Sequence, residues 1–157
     1  MPTRPTLDLK RIVLCAAVAG ATLQPCLAQA ALGEPEGQVT ADALELGGSI
    51  KSTERGVYRV HAIQLPSGTI LREFSVAGGS VFAVAWSGPA MPNLRQALGQ
   101  YFGMYVDAAK STHAWHRHLQ IERDDLVVQS NGHMRAFSGR AYLRNSLPAG
   151  TNLDDIR

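Results

Sequence analysis

The chain has 157 residues, with 15 basic and 13 acidic side chains and a formal net charge of +2. Its basic residues neither run together nor interleave with aromatics, which argues against a nucleic-acid surface. Its only cysteines, Cys15 and Cys26, lie near the N-terminus, so the remainder has no thiol for a thiolate metal site or a Cys nucleophile.

The first thirty residues read as a cleaved secretory signal. Arg4, Lys10 and Arg11 make a basic start, and residues 12–23 (IVLCAAVAGATL) are apolar and uncharged. Twelve residues at about 1.5 Å each fall short of a bilayer core of about 30 Å. Pro25 breaks the run, and Ala28-Gln29-Ala30 supplies the small side chains of a cleavage site, expected after Ala30. Gln24 and Pro25 are wrong for a lipobox before Cys26. The expected product is periplasmic and starts at Ala31. The first thirty residues hold Asp8 and three of the basic residues, so the rest carries twelve charges of each sign. That remainder has the length of one domain, and no second apolar run in it is long enough to span a membrane.

Residues 31–50 read as a leader with a short helix, and residues 51–157 as a single domain. Residues 31–37 (ALGEPEG) look flexible. Residues 39–46 suit two helical turns, with Thr40 as N-cap, Ala43 and Leu46 inward, and Gly47-Gly48 as the stop. In residues 58–62 Tyr58, Val60 and Ala62 alternate with Arg59 and His61, as a half-covered strand does. Residues 69–76 (TILREFSV) and 81–86 (VFAVAW) make two more strands, each reached by a short Gly-containing turn. The last is apolar at every position, so it belongs at the centre, covered on both faces. Asn93 then caps a helix over 93–109, with Leu94, Ala97, Leu98, Tyr101 and Tyr105 forming an apolar stripe. Gly99 and Gly103 inside it imply a close approach by a strand. Residues 110–123 look polar and irregular. Residues 126–130 and 133–143 read as a hairpin turning at Asn131-Gly132, with Gly139 marking a bulge. The order β-β-β-α-β-β predicts an α+β fold: a single antiparallel sheet with one main helix packed on it.

The chemistry-bearing groups are sparse. His113, His116 and His118 fall within six residues, and imidazole nitrogens suit zinc or copper, but the spacing matches no standard zinc signature. No serine stands in G-x-S-x-G. Trp86, Tyr101, Phe102 and Tyr105 are placed to line an apolar pocket between helix and sheet, for a lipid or another small apolar ligand. Arg135 and Arg140 offer an anion two cations on one strand.

The run TILREFSVAGGSVFAVAWSGPAMPNLRQALGQYF, with SNGHMRAFSGRAYL and the closing LPAGTNLDDIR, resembles an exported proteobacterial family known as domain of unknown function 2844. The likeness covers nearly the whole chain beyond the signal. It implies export in a Gram-negative bacterium and carries over no catalytic residue. The expectation is a non-enzymatic binding or structural accessory protein of the bacterial envelope, needing no cofactor, whose partner is an envelope protein or a small apolar ligand. The alternatives are a periplasmic metal-binding protein using His113, His116 and His118, and a hydrolase without a recognisable motif.

Overall fold

A computed structural model describes residues 31–112 and 118–157. Seven strands form one antiparallel sheet: β1 (Ser49–Arg55), β2 (Tyr58–Gln64), β3 (Ile70–Ser75), β4 (Val81–Gly88), β5 (His118–Arg123), β6 (Leu126–His133) and β7 (Ala136–Leu143). Their spatial order is β1-β2-β3-β4-β7-β6-β5. Two meanders, β1 to β4 and β5 to β7, therefore join along a β4–β7 seam, where Ala83 pairs with Tyr142 and Gly88 with Phe137. The expected α+β class and the antiparallel sheet hold. The strand count and order are corrected, because the expectation lacked both edge strands.

Those edges were missed for a physical reason. β1 (SIKSTER) has no apolar alternation, and its side chains are exposed apart from the partly covered Ile50. β5 (HLQIER) buries only Leu119 and Ile121. An edge strand has neighbours on one side only, and charged residues there guard it against pairing with other chains.

The central strand matches expectation. Val81, Phe82, Ala83, Val84, Ala85 and Trp86 are each no more than 1% exposed. A bulge sets their division between faces: Phe74 pairs with Ala83 and Ser75 with Val81, leaving Phe82 as the extra residue. Phe82 thereby joins Ala83 and Ala85 on one face, while Val81, Val84 and Trp86 serve the other.

The expected single helix is broken. α2 (Leu94–Leu98) ends at Gly99, a 3-10 turn spans Gly99–Tyr101, and α3 (Phe102–Thr112) follows. Asn93 does cap α2, its side chain accepting from the Gln96 N–H. Gly99 stands at φ 50°, and a Cβ there would come 2.4 Å from the Cβ of Ala31. The glycine is thus a terminus rather than a helix interior, and its neighbour is the N-terminal segment rather than a strand. Gly103 meets nothing within 4 Å.

Residues 31–37, expected to be flexible, are built into the fold. Ala31 and Leu32 are buried. The Gly33 N–H donates to Val81 O (2.8 Å), and the Val81 N–H donates to Glu34 O (2.8 Å). The short helix exists as α1 (Val39–Glu45), but its N-cap position is Gln38 rather than Thr40, with no side-chain cap bond. On this first face α1 meets β1 and α3 meets β5, with Leu98 and Trp86 in the same core. The second face is only partly covered, by the C-terminal tail (144–157). There Ile156 is buried with Tyr58, Phe74 and Phe82, whose rings lie 5.9 to 6.3 Å apart. Such ring pairs add about 0.5–1.5 kcal/mol each beyond their area.

The hairpin turn expected at Asn131-Gly132 lies further on. Both residues belong to β6, paired with Ser138 and Phe137, and the reversal falls between His133 and Ala136. Arg135 takes the left-handed conformation there, at φ 62°. Nor does Gly139 mark a bulge, since the register through it is continuous on both sides. A Cβ at Gly139 would lie 2.3 Å from the Trp86 ring, so the glycine makes room for the indole.

Candidate functional site

Two groups of polar side chains stand out, one on each face. On the helix-bearing face, His61 of β2 is 6% exposed. Its Nε2 lies 3.2 Å from Glu36 Oε1 and 3.1 Å from Ser75 Oγ, and its Nδ1 lies 2.8 Å from Ser52 Oγ. Glu36 also accepts from Arg59 Nη1 (2.6 Å) and from the Gly78 N–H (2.7 Å). Burial alone would raise the Glu36 pKa, but Gly78, Arg59 and Ser75 together hold it below the usual carboxylate value. An ionised carboxylate only accepts, so the imidazole proton belongs on Nε2 and Ser52 donates to Nδ1. Burial depresses the His61 pKa, against the attraction of Glu36.

The order Ser52–His61–Glu36 is that of an acyl-transfer relay, but with the two ring nitrogens exchanged. Two further features set it apart. Glu36 is already held by Arg59 and Gly78, and Ser52 lines neither cleft described below. What the network does in the fold is fasten residue 36 to the sheet. Beside it, Glu73 is 1% exposed, and burial, with Asp42 of α1 adding repulsion, pushes its pKa up to about 8.

The opposite face carries a cleft of about 420 Å³ over β1, β2 and β3. Side chains alternate along a strand, so Lys51, Thr53 and Arg55 face away from Ser52. Lys51, Ala62 and Arg72 lie in one cross-strand row, and Thr53, Val60 and Phe74 in the next. The floor is apolar, from Val60, Ala62 and the ring of Phe74, and the C-terminal tail adds Asp155 and Arg157 as a wall. Four cationic side chains thus surround one carboxylate side chain. That carboxylate is engaged, accepting from Tyr58 Oη at 3.5 Å. Lys51, Arg55, Arg72 and Arg157 form no ion pair among the described residues. Arg72 makes one neutral contact, to Ser87 Oγ at 3.3 Å.

A second cleft of about 310 Å³ lies beyond the tail, over β4, β7 and β6. It shares Arg157 with the first, and its Arg140 is committed to the protein, donating to Gln129 Oε1 (2.8 Å) and to Leu153 O. Arg140 therefore anchors the tail that walls the cationic cleft.

Residues 28–156 match the family described as protein of unknown function (DUF2844). The chain belongs to that family. No curated protein and no solved structure matches it.

Of the positions singled out in this DUF2844 chain, His113 and His116 lie outside the described residues. His118 begins β5, exposed, with Nδ1 2.6 Å from Asn131 Oδ1. No group of three metal-ligating side chains occurs among the described residues. Trp86 is buried in the helix-side core, and Tyr101, Phe102 and Tyr105 are partly buried against the same core. Phe102 and Tyr105 stack at 6.0 Å. Neither cleft brings Trp86 together with those three rings. Arg135 sits in the β6–β7 turn, away from both clefts. No helix among the described residues is long and apolar enough to cross a membrane.

Sequence reasoning missed the cationic cleft because its residues come from the edge strand, two inner strands and the tail. One signal was available: Lys51 and Arg72 stand at outward-facing positions with no acidic residue of matching parity beside them.

Proposed function

We propose that this DUF2844 protein is a non-enzymatic binding protein of the bacterial envelope, and that the cleft over β1 to β3 is its ligand site. One observation carries the reading: four cations ring an apolar floor, and none has an ion-pair partner among the described residues. Like charges gathered on one surface repel one another. A bound anion relieves that repulsion and gives the site its selectivity.

The test is titration with an anionic naphthalene sulfonate dye followed by fluorescence. Saturable binding at one site is expected, lost in Arg72→Glu with the far-ultraviolet spectrum unchanged. A dye that ignores this substitution would overturn the assignment. A hydrolase reading draws on the Ser52–His61–Glu36 contacts. A covalent fluorophosphonate adduct on Ser52 would put it in place of the binding reading.

Export belongs to the same proposal and rests on the N-terminal pattern of charge, apolar run, Pro25 and Ala28-Gln29-Ala30. N-terminal sequencing of the protein from its host should return Ala31 as the first residue. A cytoplasmic species still carrying Met1 would refute export.

A further inference from the structure

We infer that the ligand of the cationic cleft is an amphiphilic anion, a carboxylate on an aliphatic body, rather than a bare inorganic anion or a neutral apolar molecule. The inference rests on the binding reading above and names the class of ligand. Three features of the cleft carry it.

The first is the order of side chains across the strands. Ala62 stands between Lys51 and Arg72 in one row, and Val60 stands between Thr53 and Phe74 in the next. Charge and apolar surface therefore alternate within a single ligand's reach, since neighbouring strands lie about 4.8 Å apart. A bare anion would satisfy the cations and leave Val60 and Ala62 wet. A neutral apolar molecule would cover the floor and leave the cations unanswered. Only a ligand with both parts meets both rows.

The second is the size of the floor residues. Ala62 and Val60 are small and half-buried, whereas Phe74 beside Val60 and Tyr58 further along β2 are buried and packed on Phe82. The aromatic side chains thus shape the floor rather than fill the space. The aliphatic stems of Lys51 and Arg72 extend that apolar lining, with their charged ends at the rim. The third is the charge sum. Asp155, the one carboxylate side chain in the lining, is turned to Tyr58 Oη. It leaves the cations a clear excess without opposing an anion held by Lys51 and Arg72.

The experiment measures affinity for a series of straight-chain carboxylates, butanoate to dodecanoate, by displacement of the naphthalene sulfonate dye. Octanol and inorganic phosphate serve as single-feature controls. Affinity should rise about fourfold for each added methylene that the cleft can cover, then level off once it is full. Octanol and phosphate should each compete at least tenfold more weakly than octanoate.

Two variants separate the parts. Ala62→Phe fills the floor and should flatten the chain-length series while the dye's salt dependence persists. Arg72→Gln should bring octanoate down toward octanol. Phosphate competing as well as octanoate would show a site for charge alone, and octanol competing equally would show a site for apolar surface alone. Either outcome overturns the inference while leaving a binding cleft in place. Failure of the dye itself to bind would instead remove the reading beneath it.

Discussion

Glu73 enters the sheet between His61 on β2 and Val84 on β4, with Asp42 of α1 close enough to disfavour its charge. Its Oε2 is buried without a hydrogen-bond partner, so the carboxyl is more stable neutral. The folded protein keeps this proton up to a pH of about 8, whereas the unfolded chain releases it near the ordinary value of 4.5. The contribution to stability is complete below pH 4.5 and declines as pH rises toward 8. The slope inside that window approaches about 1.4 kcal/mol per pH unit, and it vanishes above it. Glu73→Gln should therefore gain on the parent as pH increases from 5 to 8, with the difference constant beyond. Urea midpoints for the two proteins across that range check this, and a constant difference throughout would mean that Glu73 is already ionised. Nothing local in the sequence marks this residue. Glu73 occupies a parity shared with Leu71 and Ser75, and its burial depends on α1 arriving from thirty residues upstream.

Among the elements, the inner strands were legible because both their neighbours enforce a pattern. β2 alternates, and β4 is apolar from Val81 to Trp86 because helices lie on one face and the tail on the other. The edge strands have one neighbour each, so their composition is set by solvent and reads as loop. The Asn131-Gly132 pair misleads for a different reason. A Cβ on Gly132 would come 3.1 Å from the Phe137 ring, so the glycine serves cross-strand packing while Arg135 takes the strained turn position. The helix break shows the limit of periodicity. The stripe Leu94, Ala97, Leu98 predicted the right inward residues, all three buried. The same spacing continued past Gly99, where the chain changes direction to admit Ala31. Leu98 has no exposed surface, and Leu98→Ala should cost about 2–5 kcal/mol. Arg95, exposed with its guanidinium 4.8 Å from the Phe102 ring centre, should cost at most about 1 kcal/mol on truncation. Chemical denaturation of both variants gives the comparison, and equal losses would contradict this packing.

At the scale of the molecule, the two faces of the sheet are covered by segments far apart in the chain. Residues 31–46 join the helices over one side, and residues 144–157 cover part of the other. The cationic cleft lies between the tail and β1, both of which line it. Its composition was readable residue by residue, but its existence depends on the strand order, which no single segment encodes. That order has a consequence in time. β4 meets β3 soon after both are made, yet its other flank waits for β7, with Ala83 pairing across to Tyr142. Until then the most apolar strand of the chain has half its backbone groups unsatisfied, and contacts between such distant segments form slowly. A chain made from its N-terminus delivers β7 late. The sheet therefore closes only after most of its strands are available, which makes the last strand in the chain the latch.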